Sequence, residues 1–280
     1  MFKNILVHVP SERPVRPVID VAISLGFAHR AHLDAVAIGY ESLSSVSMVA
    51  EGGGAAVAAV IGVEQERALE RANAAISVFE VEAKLAKIAY GKRTIAAIPV
   101  EAEKAIAGLA RLYDLSVVLQ PDPSFSGFDN VIPQAILFNS GGPMLMVPYV
   151  HKGPLDASHV GIAWDGSRLA ARAVRDARPF LTAAQAVTVI AVNEERNDNG
   201  ERSSDELVSH LARRGIAARV ERLTADRAYI QGTILSVAAD SNIGLIVMGG
   251  FGHSRLQERI LGGVTREMFE SMTVPVLMSH

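Results

Sequence analysis

The chain contains no cysteine among its 280 residues. That excludes disulfides, thiolate metal sites and cysteine nucleophiles, and it fits a reducing compartment. The formal net charge is -3, which provides no general attraction to a phosphate backbone. Long apolar runs are missing too: the alanine-rich stretches are broken by charges before reaching membrane-spanning length. Met1-Phe2-Lys3 runs directly into Ile5-Leu6-Val7, which reads as a strand and leaves no room for a signal peptide. The expectation is a cytoplasmic protein with no nucleic-acid or membrane partner.

What is present is apolar and alternating. Hydrophobic residues make up 49% of the chain and charged ones 20%, the balance of a chain with a large core, and 280 residues are long enough for two domains of ordinary size. An internal repeat organises them. Asn4-Ile5-Leu6-Val7-His8-Val9 parallels His159-Val160-Gly161-Ile162-Ala163-Trp164. Leu115-Ser116-Val117-Val118-Leu119 parallels Gly244-Leu245-Ile246-Val247-Met248, and Pro143-Met144-Leu145-Met146-Val147 parallels Pro275-Val276-Leu277-Met278. Helical stretches separate the strand-like runs. That alternation predicts an α/β chain of two tandem doubly wound parallel five-stranded sheets, Rossmann-like and related by a pseudo-twofold. Residues 1–150 form one predicted domain and 151–280 the other, with His151-Lys152-Gly153-Pro154-Leu155-Asp156 as the linker.

The densest signal is Val247 to Thr265, VMGGFGHSRLQERILGGVT. A buried strand runs into Gly249 and Gly252; Gly262 and Gly263 follow, and then a helical pattern carrying Val264, Met268 and Phe269 on one face. Strand, glycines and helix start suit an anion, because glycines admit it to the backbone and free amides at a helix N-terminus point towards it. The same glycines also suit a plain tight βα connection. Their spacing resembles the G-x2-G-x9-G-[S/T] signature of the universal stress protein family. Met272-Thr273-Val274-Pro275-Val276-Leu277-Met278 is similar to that family's closing strand, and Val160 to Ser167, ending Asp165-Gly166-Ser167, to its first strand. The resemblance covers residues of about 159 to 280. One position departs from it: Gly263 stands where the signature has Ser or Thr, and Thr265 is the nearest hydroxyl.

The resemblance implies adenine nucleotide, ATP first and ADP or AMP otherwise, with magnesium arriving only with the nucleotide. It implies Asp165 on the nucleoside, Ala163 and Val192 beside the base, and Met248, Gly249, Gly252, Gly262, Gly263, Val264 and Thr265 as the remaining nucleotide-binding residues. Read without it, Asp165 is a helix-capping residue; Arg255 and Arg259, four apart with Glu258 between them, suit either contact with polyphosphate charge or a solvated helix face. His29 and His32 have metal-like spacing but no further ligands nearby, so no metal site is expected. No Walker lysine, magnesium-positioning carboxylate pair or nucleophile–base order is present, which points to a binding protein, not an enzyme. Two functions remain: a nucleotide-binding stress-response sensor or regulator, and an interaction scaffold without nucleotide. Either works through an unidentified protein partner, and a homodimer of whole chains is compatible with both.

The first half departs from the second at the same places. Pro10-Ser11-Glu12-Arg13-Pro14 replaces the Asp-Gly-Ser turn, and Gln120-Pro121-Asp122-Pro123 replaces the glycines. Proline supplies no amide donor, so an anion nest is lost there. From Leu119 to Pro143 is 24 positions, against 27 from Met248 to Pro275, so the connection is also shortened. Extra length sits near residues 41–90, where Glu51-Gly52-Gly53-Gly54-Ala55-Ala56 precedes a helix-compatible run, Glu64 to Lys87. The first half is expected to keep the fold and to have lost the site. The two closing strands, both apolar throughout, are expected to pair antiparallel with each other inside the chain.

Overall fold

The computed structural model describes residues 1–41, 55–194, 202–250 and 263–280. The first half runs β1 (Asn4–His8), α1 (Arg16–His29), β2 (His32–Tyr40), α2 (Ala55–Leu85), β3 (Tyr90–Ala97), α3 (Pro99–Ala110), β4 (Leu115–Leu119), a 3-10 turn (Phe128–Val131), α4 (Ile132–Asn139) and β5 (Met144–Val147). The second runs β6 (His159–Ala163), α5 (Arg168–Asp176), α6 (Arg178–Ala183), β7 (Ala186–Val192), α7 (Ser204–Ala212), β8 (Arg219–Leu223), a 3-10 turn (Arg227–Tyr229), α8 (Ile230–Asp240), β9 (Leu245–Gly249), α9 (Val264–Glu270) and β10 (Val276–Ser279).

The strands form one sheet in the order β3-β2-β1-β4-β5-β10-β9-β6-β7-β8, which reads alike from either end. Within each half every pairing is parallel. At the centre β5 and β10 pair antiparallel, with Leu277 opposite Leu145, Val276 opposite Met146 and Met278 opposite Met144. The expected pairing is therefore present, and it fuses the two expected five-stranded sheets into a single ten-stranded one.

Period-two alternation explains why this seam holds. Leu145 and Leu277 point into one core layer together with Ile5, Val7, Leu115, Val117, Ile162, Leu245 and Val247. Met144, Met146, Val276 and Met278 point into the other, with Leu6, Val118, Ile246 and Met248. Both layers run through the seam, so neither half has a core of its own. Burying an apolar side chain of this size contributes about 1.5–3 kcal/mol, and all seven side chains of 144–147 and 276–278 are fully buried. The apolar strands lie at the centre and the charged ones at the rims. The outermost strands, β3 and β8, carry Lys92 and Arg93, and Arg219, Glu221 and Arg222, on half-buried or exposed positions, the charge pattern that discourages edge-to-edge association.

The extra length of the first half is helix. α2 has 31 residues, about 46 Å at 1.5 Å per residue, where its counterpart α7 has nine. Ala68, Ala72, Ala75, Ile76, Phe79 and Ala83 form its buried stripe at three- and four-residue spacing. Residues 62–67 are exposed, so the helix begins beyond the body of the sheet. The glycines 52–54 and Glu51 lie outside the described residues. The linker packs on both halves: the amide of Leu155 donates to Ser24 Oγ on α1 at 3.1 Å, and the Asp156 carbonyl lies against Gly244.

Candidate functional site

In an open parallel sheet, ligands collect at the carboxyl edge where neighbouring strands send their connections to opposite faces. In the second half that point lies between β6 and β9, which pair from Val160↔Leu245 to Ile162↔Val247. The chain leaves β6 through Trp164, Asp165, Gly166 and Ser167. Gly166 has φ +75°, a left-handed conformation that the Asp-Gly-Ser turn requires. Asp165 is exposed; its Oδ1 accepts the Ser167 amide at 3.0 Å. Ser167, not Asp165, is the N-cap of α5, its Oγ accepting from the Ala170 amide at 3.2 Å. The capping role considered for Asp165 thus belongs to its neighbour, and Asp165 braces the turn with its carboxylate at the open edge.

Gly249 ends β9 directly beneath this turn. A Cβ there would lie 2.7 Å from the Ala170 amide nitrogen and 2.8 Å from the Leu169 carbonyl carbon. Only glycine allows β9 to come so close to the first turn of α5. Gly250 is held from two sides: its amide donates to Ser279 O at 2.9 Å, and His280 Nδ1 lies 2.9 Å from its carbonyl. Met248 is buried in one core layer, and Ala163, Val192 and Val264 pack partly buried against that same layer. Thr265 is 5% exposed. Gly263 is the N-cap of α9 and has no side chain to cap it. Gly252 and Gly262, with His253, Arg255, Glu258 and Arg259, lie outside the described residues.

Sequence reasoning missed the polar rim around this point. Trp164 Nε1 donates to the Arg202 carbonyl at 2.8 Å. Asn193, at φ +57°, clasps Ala225 through both side-chain atoms, at 2.6 and 2.9 Å. The Glu194 carboxylate accepts from Ser204 Oγ at 2.7 Å and Arg222 Nε at 2.9 Å. Burial pushes the Glu194 carboxyl up, but hydrogen bonds from Ser204 and Arg222 outweigh it and hold the group below its ordinary value. The available signal was Asn193 just past the end of an apolar run, since asparagine tolerates the left-handed region.

The equivalent point of the first half, between β1 and β4, is filled by the chain itself. Asp129 enters it from the 3-10 turn. Its Oδ2 accepts the Glu12 amide at 2.9 Å, its Oδ1 accepts Tyr40 Oη–H at 3.1 Å, and His8 Nε2 lies 3.5 Å from Oδ1. Arg13 Nη1 donates to the Gln120 carbonyl at 2.6 Å and to Asn130 Oδ1 at 3.0 Å. Burial pushes Asp129 up to about 6, against the hydrogen bonds from Glu12 and Tyr40, and pushes His8 down to about 3. Nothing in the spacing of these residues announced that they would meet.

Two further places carry no counterpart to this site. His29 packs edge-on against Phe2 and Phe180, and His32 Nε2 lies 3.3 Å from Asp34 Oδ1; no group of three metal-binding side chains occurs among the described residues. A cavity of 480 Å³ lined by His159, Thr188, Arg219 and Ser241 opens at the amino edge of β6–β8, the opposite end of the sheet from Asp165 and Gly249. No described helix is long and apolar enough to cross a membrane.

Comparison with known proteins agrees with this geometry. Residues 157–280 match the model of the universal stress protein family. The whole chain shares its fold with a universal stress protein from Archaeoglobus fulgidus DSM 4304, at 17% identity and a TM-score of 0.70, covering 98% of this chain and 95% of that one. A functionally unknown protein from Pseudomonas aeruginosa PAO1 is similar at 13% identity and a TM-score of 0.62, covering 99% and 92%. No curated protein sequence matches the chain.

Proposed function

We propose that the second half binds one adenine nucleotide at the carboxyl edge between β6 and β9, and that the chain is a stress-response sensor or regulator that reads this occupancy. The observation that carries the reading is Gly249, pressed against the first turn of α5 beside the exposed carboxylate of Asp165. The approach leaves no room for a side chain where the family's phosphate loop begins. Asp165 is placed to accept hydrogen bonds from ribose or base, and Ala163, Val192 and Met248 offer an apolar wall to the base. The polyphosphate falls to the glycine segment 249–263, with ATP favoured over ADP and AMP and magnesium carried in with the nucleotide.

Turnover is not part of this role. The sequence carries no Walker lysine and no recognisable magnesium-positioning carboxylate pair, which supports a site that holds ATP instead of spending it. ATP hydrolysis stays below roughly 0.1 per second, against the 1 to 1,000 per second of ordinary enzymes. Titration calorimetry with ATP tests the reading: one site per chain supports it, whereas two sites, or none at millimolar ATP, rejects it. The second reading, a scaffold without nucleotide, is favoured by one feature, the bare Gly263 N-cap where the family signature has a hydroxyl. The same titration separates the two.

A further inference from the structure

The filled edge of the first half holds buried groups that packing alone does not account for. Two buried side-chain atoms lack a hydrogen-bond partner among the described residues, His8 Nε2 and Gln120 Oε1, and both belong to this cluster. An unpaired buried polar atom is costly, and two in one cluster call for a reason.

We propose that His8 and Asp129 form a proton-binding site, and that its occupancy is transmitted to the second half through Arg13, Gln120 and the backbone of α9. The orphaned Nε2 lies 3.5 Å from Asp129 Oδ1, and both side chains are buried. A proton taken from bulk water and held between them converts two facing acceptors into a charge-assisted N–H···O contact and satisfies the orphan. The surroundings hold the pair in place from every side. The Glu12 amide and Tyr40 hydroxyl bind the carboxylate. Arg13 lies beyond them, 3.9 Å from Asp122 and stacked over Tyr149 at 5.8 Å. Arg71 on α2 acts on Glu12, and Glu103 on α3 acts on Tyr40. Burial raises Asp129 and lowers His8, the directions of a pair that shares one proton instead of ionising both groups.

The route out is short. Arg13 donates to the carbonyl of Gln120, and the Gln120 side chain, itself fully buried, donates from Nε2 to the carbonyl of Phe269 at 3.2 Å. Phe269 lies on α9, the helix that follows the glycine segment. Charge change at Asp129 alters the pull on Arg13, and Arg13 holds the residue whose side chain reaches across the seam. The inference needs no nucleotide and stands apart from the reading of the second half.

Carbon-13 NMR titration of the intact protein tests it. His8 Cε1 and Asp129 Cγ should move together with one midpoint above about 5, well over the ordinary carboxylate value, and the Phe269 carbonyl carbon should follow at the same midpoint. Asp129→Asn should remove the shared midpoint, and Tyr40→Phe, which deletes one donor to the carboxylate, should raise it, keeping the test intact if the first variant folds poorly. Gln120→Met should silence Phe269 while leaving the pair's titration in place. An Asp129 midpoint near 4, a Phe269 carbonyl that ignores pH or still responds in Gln120→Met, or loss of the shared midpoint in Glu12→Gln would each overturn the proposal.

Discussion

The two halves of the sheet have the same strand order and opposite carboxyl edges. Between β1 and β4 the first half packs His8, Arg13, Tyr40, Gln120 and Asp129 into a closed polar cluster. Between β6 and β9 the second presents a glycine, an exposed carboxylate and a rim of satisfied polar groups. The scaffold therefore does not make the site. A sheet whose two apolar layers run unbroken across the seam will hold either edge, and the edge chemistry can change without disturbing the core.

The largest effect should come from attacking what the halves share. Leu277→Lys places a charge opposite Leu145 in the first core layer, and loss of stability of about 4 kcal/mol or more is expected, the range reached when a buried charge goes unpaired. Urea denaturation should show both halves unfolding in one weakened transition. A stable variant, or one half unfolding alone, would mean that the cores are separable.

Next comes the difference at the edges. Gly249→Val should lower ATP affinity by more than tenfold, since its Cβ would collide with the backbone of Leu169 and Ala170; overpacking should also cost about 1–3 kcal/mol of stability. Gly252→Val should abolish binding on the proposed reading, while Pro121→Ala in the first half should leave one site per chain. Calorimetry on the three variants reads all of this, and an unchanged affinity in Gly252→Val would remove the loop from the site.

A third effect concerns pH and belongs to the first half alone. Asp129 has a folded value raised from 3.8 to about 6, so its contribution to stability is full below about 4 and is lost as pH rises through 6, about 3 kcal/mol in all. His8 is depressed from 6.5 to about 3, so its contribution is present above 6.5 and is lost as pH falls towards 3. The two oppose each other between 4 and 6. Asp129→Asn leaves only the histidine, so its stability should fall more steeply than the parent's as pH drops from 6 to 4. Parallel stability curves would show that Asp129 does not titrate in this window.

The smallest effect separates the helices that open each half. α5 begins on Ser167, whose side chain caps it, whereas α1 begins on Val15 with no side-chain cap and a proline in its first turn. Ser167→Ala should cost about 1 kcal/mol in thermal or chemical denaturation. Val15→Ser, offering a cap where none is now made, should recover a fraction of that in the other half.

Legibility in the sequence falls with distance along the chain. Strands β1, β4, β5, β6, β9 and β10 follow from short apolar runs bounded by turn residues, and their antiparallel seam follows from two strands apolar on both faces that require cover. The turn at Gly166 and the close approach at Gly249 are visible as glycines, although only the folded chain distinguishes Ser167 as the cap from Asp165 as the brace. The length of α2 is partly visible as a helix-compatible run from Glu64, and the helix begins nine residues earlier.

Local patterns thus determined the fold class and the repeat, and they singled out the glycine-bearing edge proposed as the site, because strand periodicity and glycine turns are set by neighbours within a few residues. The antiparallel seam that joins the two sheets was legible in the two apolar closing strands, whereas tertiary structure alone decided that both core layers run through it unbroken. It also decided that Asp129 meets His8, Tyr40 and the Glu12 amide from 121, 89 and 117 positions away. No local preference encodes such a meeting. It arises when crossover connections bring the ends of separate strands to one edge, where a buried carboxylate must find its partners or remain without them.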